Sequence, residues 1–125
     1  MKKSIITIIV ASLIILVGVF YENIYIKNTF REFSTQIDCV YQKVNEKTAV
    51  EDDIYALQAN WFLKKEKLHI FIPHAEIKEV ELWLSESVKL VRDKKWEDAL
   101  SKIEVLKVLS EQIPKTFSIR IENIM

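Results

Sequence analysis

Residues 4–21, SIITIIVASLIILVGVFY, form an uninterrupted run of 18 uncharged residues directly behind Met1-Lys2-Lys3. As an α-helix at about 1.5 Å per residue, this run is roughly 27 Å long, close to the ~30 Å hydrocarbon core of a bilayer. Twelve of its positions are Ile, Leu, Val or Phe, and each of these residue types favours membrane insertion by roughly 0.3–0.6 kcal/mol. The run therefore predicts a transmembrane helix that contacts the lipid bilayer through residues 4–21.

The end of this run distinguishes an anchor from a cleaved signal peptide, which also begins with basic residues and an apolar stretch. Cleavage requires small residues at positions −3 and −1, whereas the run offers only Gly18, with Leu16 two positions before it. We therefore expect an uncleaved signal anchor. Lys2 and Lys3 precede the run and Glu22 follows it, so the positive-inside rule predicts a single-pass protein of the cell membrane with a cytoplasmic N-terminus and an extracytoplasmic domain.

The chain of 125 residues thus divides into an anchor at residues 1–21 and a domain at residues 22–125, long enough for one small core. That domain carries all 18 acidic residues and 16 of the 18 basic ones, interspersed along it. A nucleic-acid-binding protein would show a basic excess on one face, so we expect no nucleic-acid partner. Cys39 is the only cysteine; this excludes an intrachain disulfide and predicts a small buried side chain, with an intermolecular disulfide as the alternative.

Turn-forming residues are scarce, because Gly18, Pro73 and Pro114 are the only glycine and prolines. A multi-stranded β domain would need more of them. Apolar residues instead recur at helical spacing in four segments. The predicted inner faces are Ile26, Phe30, Phe33, Ile37, Val40 and Val44; Val50, Ile54, Leu57, Trp61 and Leu68; Ile77, Val80, Leu84, Val88 and Val91; and Trp96, Leu100, Ile103, Leu106 and Leu109. Leu82, Trp83 and Leu90 are expected to widen the third stripe. We predict an all-α fold, in which an N-terminal transmembrane helix runs into an antiparallel bundle of about four helices; pairing with a second copy as a homodimer is the alternative.

The boundary between the first two helices follows from local signals. No Gly or Pro lies between Val19 and Ile72, so the membrane helix is expected to continue without a hinge into the first soluble helix. We expect this helix to end near residues 45–47. The sequence Thr48-x-x-Glu51 matches a capping box, in which the Thr hydroxyl accepts from the Glu amide and the Glu carboxylate reaches back. It predicts that the second helix starts there.

Three further residues mark the later boundaries. Pro73 suits the first turn of a new helix, so a bend is predicted between the second and third helices. Asp93 can cap a fourth helix that begins at residue 94 or 95. Pro114 is expected to kink or restart the chain. Residues 115–125 fit either a strand or a short helix packed on the bundle, and we favour the helix.

The patterns that would indicate a reaction or a metal are incomplete. Glu66-x-x-His69 has the spacing of a bundle-core di-iron ligand pair, but such a site needs two pairs, and His74 has Phe71 three positions before it. The single glycine lies in the apolar run, which excludes glycine-rich phosphate loops. We therefore expect no enzyme, no catalytic residue, no cofactor and no metal. His74 is predicted to help set the bend after Pro73 instead.

The basic start with one span, Trp61, the segment His74-Ala75-Glu76-Ile77 and the ending Arg120-Ile121-Glu122-Asn123-Ile124 resemble a family of short single-span membrane proteins from spore-forming Gram-positive bacteria. That family is catalogued as a domain of unknown function. The resemblance implies a helper at the membrane, encoded near a small multi-span membrane protein, rather than a reaction. Trp61, His74 and Asn123 match the family's marks as structural or functional positions, and the resemblance implies no catalytic role for them.

The sequence as a whole favours a membrane-anchored extracytoplasmic helical interaction module, an accessory to another membrane or envelope protein. The alternative is a small-molecule or ion-binding extracytoplasmic four-helix domain. An enzyme ranks third, because it would require a cleft with perturbed titratable groups around His74.

Overall fold

The computed structural model describes residues 1–124 and consists of four successive α-helices: α1 (Lys2–Asn45), α2 (Glu51–Leu68), α3 (His74–Arg92) and α4 (Trp96–Ile124). No strand occurs within this described range. Helices α1 and α3 each pack against both α2 and α4, so neighbouring helices in the chain are also neighbours in space. The predicted all-α fold with about four helices is confirmed.

The first helix has two halves with different surroundings. The side chains of residues 1–18 are all exposed, whereas seven side chains beyond them are buried against the bundle: Ile26, Thr29, Phe30, Phe33, Ile37, Val40 and Val44. Spacings of three and four place these side chains on one stripe of the helix. The helix does not break between its two halves, which confirms the prediction that no hinge separates the apolar run from the bundle.

The core consists mainly of the predicted inner faces, which cluster as one set of buried apolar side chains. All predicted inner-face positions on α1 and α3 are buried. Of the three residues expected to widen the α3 stripe, Trp83 and Leu90 are half-buried. Leu82 is exposed, because it follows the buried Val80 by two positions and is rotated by about 200° from it. Val50 is exposed because it precedes α2 rather than lying within it, and Trp96, Leu100 and Leu109 on α4 are half-buried. In their place α4 buries Ala99, Ser110, Ile113 and Phe117. Burial of these stripes is the main stabilising term of the bundle.

The start of α2 differs from the predicted capping box. Val50 is the N-cap residue: its N–H donates to Asp53 Oδ2 at 2.9 Å, and its carbonyl accepts from the Asp53 N–H at 3.0 Å. Thr48 belongs to the end of α1 instead, because its N–H donates to the Lys43 carbonyl at 2.8 Å and its hydroxyl to the same carbonyl at 3.3 Å. The predicted start at Thr48 with Glu51 as its partner is therefore wrong.

Helices α1 and α3 end in the same hydrogen-bonded turn, with a lysine in the left-handed conformation. Lys47 has φ 60° and Lys94 has φ 57°. After α3, the Lys94 N–H donates to the Val91 carbonyl at 3.0 Å and the Lys95 N–H to the Leu90 carbonyl at 2.9 Å. These two bonds define a Schellman motif, in which glycine is the usual left-handed residue. A chain with one glycine thus forms both turns with lysine.

The predicted start of α4 is wrong, and one of the two alternatives predicted at Pro114 is excluded. Asp93 is the C-cap of α3 and α4 begins at Trp96, because the turn at the end of α3 already occupies residues 93–95. Pro114 lies inside α4 and does not restart the chain. Its side chain is buried, as are those of Ile113 and Phe117, and this packing offsets the backbone hydrogen bond that proline removes. The predicted helical tail is confirmed as part of α4 through Ile124, and residue 125 lies outside the described residues.

Candidate functional site

One end of the bundle lies beside the last turns of the apolar run, because α2 and α4 both return along α1. We call it the proximal end and define it by residues 20–25, 69–73 and 117–122. Phe71, in the loop between α2 and α3, places its ring centroid 6.5 Å from that of Tyr25 on α1 and 6.5 Å from that of Phe117 on α4. Both contacts are edge-to-face, a favoured geometry for aromatic pairs. The loop is therefore held between α1 and α4.

Two polar contacts fix the last turns of α4 at the proximal end. The Ser118 hydroxyl donates to Asn23 Oδ1 on α1 at 2.8 Å. Arg120 Nη2 donates to Glu76 Oε1 on α3 at 2.8 Å. All four residues are half-buried, so water competes less for these bonds than it does at an open surface. The end of α4 is thereby attached to both neighbouring helices.

An open groove of about 480 Å³ runs between the end of the apolar run and α4. Its apolar wall is formed by α1, and residues of α4 form the other side. The lining comprises Leu16, Val17, Val19, Phe20, Asn23, Ser118, Ile121 and Glu122. The last turns of α4 therefore lie at the same level as the last turns of the run predicted to cross a membrane.

The two histidines meet at the proximal end. His69 caps the C-terminus of α2 and His74 is the first residue of α3. Their rings are stacked with centroids 5.3 Å apart and an interplanar angle of 29°, and both side chains are exposed. Residues 1–124 contain no group of three or more His, Cys, Asp and Glu side chains that could hold a metal ion. The expectation that the protein binds no metal stays a prediction.

The three marks of the family resemblance lie on three different elements. Trp61 of α2 is a core residue with 1% of its surface exposed, so its predicted burial is confirmed. The aromatic neighbours of Trp61 are Phe33 and Phe30 of α1, whose ring centroids lie 5.1 and 6.2 Å from its own. His74 lies at the start of α3, and Asn123 is exposed near the end of α4. The structure does not bring the three into one site.

A second, smaller groove of about 250 Å³ lies between α1 and α2, and Cys39 lines it. The predicted burial of Cys39 is wrong, because its side chain is exposed. The physical reason is helical geometry: Cys39 follows the buried Ile37 by two positions and is therefore rotated by about 200° from the buried stripe. Gln36 and Asn60 contribute polar groups to the same groove.

Two residues that line this smaller groove, Lys43 and Asp53, form an ion pair. Lys43 Nζ lies 2.8 Å from Asp53 Oδ1. The hydrogen bond from Lys43, with the Val50 N–H second, lowers the pKa of Asp53. The same bond raises the pKa of Lys43. Both charges are therefore already compensated within the protein.

A family model described as "Domain of unknown function (DUF4363)" matches residues 20–124. No match exists among the curated proteins or the solved structures. The matched residues cover most of the chain and include the whole bundle, and the chain belongs to this family.

Proposed function

We propose that this member of the DUF4363 family is a membrane-anchored, extracytoplasmic helical interaction module that serves another membrane or envelope protein. The observation that carries the proposal is the single helix α1, which joins an exposed apolar segment to the bundle without a break. That segment is long and apolar enough to cross a membrane, and none of it is buried against the protein. A bilayer removes such a surface from water.

The continuity of α1 also supports a positional role. A helix of 44 residues is about 66 Å long at about 1.5 Å per residue, and its bundle-forming half starts directly where the apolar run ends. The bundle is therefore held at a constant height relative to the predicted bilayer, without a flexible linker. Such an arrangement suits lasting contact with a neighbouring membrane protein at that height.

The outer surface of α2 is the surface that we assign to the partner. Tyr55, Phe62 and Leu63 are exposed there, and Tyr55 and Phe62, seven positions apart, lie on the same stripe. The Lys65 ammonium lies 5.1 Å from the centroid of the Phe62 ring and also pairs with Glu81 of α3. Large apolar side chains on one exposed stripe are typical of binding surfaces. We expect the partner to present an apolar surface to this stripe.

A small-molecule or ion-binding domain is the second candidate, favoured by the groove between α1 and α2. Its volume of about 250 Å³ is just below the roughly 300–1,000 Å³ of most ligand pockets. Its charged side chains, Lys43 and Asp53, already bind each other. A ligand would have to replace that contact, so this candidate ranks behind the interaction module.

The topology is tested with protease added to intact protoplasts that contain the full chain. We expect digestion of the bundle, because it should lie outside the cytoplasmic membrane. A variant carrying an additional cytoplasmic tag ahead of Met1 provides the control, since the tag is expected to survive. Protection of the bundle, or a mature protein that begins after Gly18, would contradict the proposed topology.

The interaction is tested by photo-crosslinking in cells, with the crosslinking amino acid placed at Phe62 or at Tyr55. The control position is Glu104, which is exposed on α4. We expect the same membrane or envelope protein to be captured from both α2 positions and not from Glu104, and co-purification of that protein to be lost in Phe62→Asp. Equal capture from Glu104, or co-purification that survives Phe62→Asp, would contradict this binding surface.

A further inference from the structure

We infer that the proximal end of the bundle is a second membrane-binding surface, on which Ile70 of the α2–α3 loop and Ile119 of α4 insert among the lipid headgroups. The bilayer is the one that α1 is proposed to cross, so the inference rests on the proposed anchor. It adds a contact that the apolar run does not provide. The bundle itself would lie on the membrane surface.

The depth of the loop follows from its contact with α1. Phe71 packs against Tyr25, which is four positions beyond the end of the apolar run at Tyr21. At about 1.5 Å per residue, four positions correspond to roughly 6 Å. The headgroup layer adds roughly 5–8 Å on each side of the hydrocarbon core, because a bilayer measures about 40–45 Å with headgroups and about 30 Å without them. The loop therefore lies within the headgroup layer.

The depth of the α4 end follows in the same way. Ser118 donates its hydrogen bond to Asn23, two positions beyond Tyr21, so the next residue of α4, Ile119, lies close to the end of the run. The groove between α1 and α4 continues to Leu16. The final turns of α4 are thus at the same depth as the loop or deeper.

The side chains presented at this depth are apolar and exposed. Ile70 is 75% exposed and Ile119 is 56% exposed, although both belong to elements that bury other apolar side chains. Exposed isoleucines are unfavourable in water and favourable at a membrane interface, where apolar groups reach the acyl boundary. Tyr21 ends the apolar run and Tyr25 contacts Phe71 of the loop, and tyrosine is enriched at this depth in membrane proteins.

The structure supports binding of the proximal end to the bilayer by insertion of apolar side chains rather than by attraction between charges. Lys67 is exposed on the last turn of α2 and can contact a lipid phosphate. Glu22 and Glu122 lie near the same level and offset this charge. The surface therefore shows no basic excess that would select anionic lipids. We expect it to bind zwitterionic and anionic bilayers with similar strength.

The test uses the full chain with Cys39→Ser, reconstituted in nanodiscs of phosphatidylcholine and phosphatidylglycerol. Single cysteines carry a spin label at Ile70, at Leu63 or at Val10, and collision with oxygen is compared with collision with a water-soluble nickel chelate. Leu63 is the matched control, because it is 80% exposed and lies seven positions, or about 10 Å, farther along α2 from the membrane. We expect nickel accessibility at Ile70 to be several-fold lower than at Leu63, and lowest at Val10.

Each other outcome has a distinct meaning. Equal nickel accessibility at Ile70 and Leu63, with Val10 protected, would overturn the second membrane contact and leave the anchor intact. Free nickel access at Val10 would overturn the proposed anchor, and the second contact with it. Protection of Ile70 that appears in cells but not in lipid-only nanodiscs would identify a protein rather than the bilayer as the occupant, and would also overturn the inference.

Discussion

The ring centroids of Trp61 on α2 and Phe33 on α1 lie 5.1 Å apart, with 46° between the ring planes. Phe30, one turn earlier on α1, places its ring 6.2 Å from the same indole. All three side chains are almost completely buried. This cluster joins α2 to the helix that also carries the apolar run, so packing of the bundle and its attachment to that run depend on the same contacts.

Trp61→Ala is expected to lower the free energy of unfolding by about 3–5 kcal/mol, because it leaves a large cavity between α1 and α2. Trp61→Phe is the matched control. It keeps an aromatic ring and removes an indole N–H that makes no hydrogen bond to the described residues, so we expect a smaller loss of about 1–2 kcal/mol. Urea unfolding of the full chain in detergent measures both. Equal losses of stability in the two variants would contradict the view that packing of the aromatic ring is the main contribution of Trp61.

Lys47→Gly and Lys94→Gly are each expected to stabilise the protein by about 0.5–1 kcal/mol. Both lysines have positive φ, a conformation that costs other residues about 1 kcal/mol and glycine almost nothing. Lys89→Gly, at an exposed position within α3, is the control and is expected to destabilise by about 1 kcal/mol. Thermal unfolding distinguishes the two classes. Destabilisation by all three substitutions would exclude backbone strain at the helix ends.

Asp53→Asn is expected to cost about 0.5–2 kcal/mol at pH 7, the usual range for a lost helix cap. Asp52→Asn is the control, because Asp52 is exposed in the same turn and is not the residue that binds Val50. The stability of both variants is measured by urea unfolding. A similar cost for the two variants would show that Asp53 does not act as a cap.

The pH dependence of this contact has a definite sign. Lys43, and then the Val50 N–H, lower the pKa of Asp53 in the folded protein. Asp53 therefore stabilises the fold above its ordinary pKa, and this stabilisation is lost as the pH falls below about 4 towards the lowered value. We expect Asp53→Asn to reduce the loss of stability between pH 5 and pH 3, roughly the range over which free aspartate titrates. If Asp53→Asn loses as much stability between pH 5 and pH 3 as the unmodified protein, Asp53 does not contribute to this pH dependence.

His74→Gln is expected to change the free energy of unfolding by about 1 kcal/mol or less, as for one modest interaction. The ring is exposed and its aromatic contact is the stack with His69. His69→Gln removes the same contact from the other side and is expected to have a similar effect. Stoichiometric zinc or iron in the purified protein that His74→Gln abolishes would contradict this structural role.

Much of the fold follows from spacing along the chain. The stripes at Phe30, Phe33 and Ile37 and at Ile77, Val80 and Leu84 are buried as predicted, because a helical period alone determines which side chains share a face. The predicted starts of α2 and α4 were wrong because the end of the preceding helix uses the same residues. Thr48 resembles an N-cap but is used by the end of α1.

The candidate site was less predictable for a related reason. His69 and His74 were treated as separate residues, and only the turn between α2 and α3 places their rings 5.3 Å apart. Ile70 carries no recognisable signal in the sequence, because one isoleucine in a loop has no periodic pattern. Its exposure beside the apolar run depends on the contacts that Phe71 makes with Tyr25 and Phe117.

The sequence by itself determined the apolar run at residues 4–21, the continuity of α1 and most of the apolar stripe on each helix. These are local properties, since they depend on residue type and on the constant geometry of one helix. Only the tertiary structure decided that Trp61 packs against Phe33, that the histidines meet, and that the loop and the end of α4 lie beside the end of the run. These relationships depend on which helices pair and at what height, and both are set by packing among residues far apart in the chain.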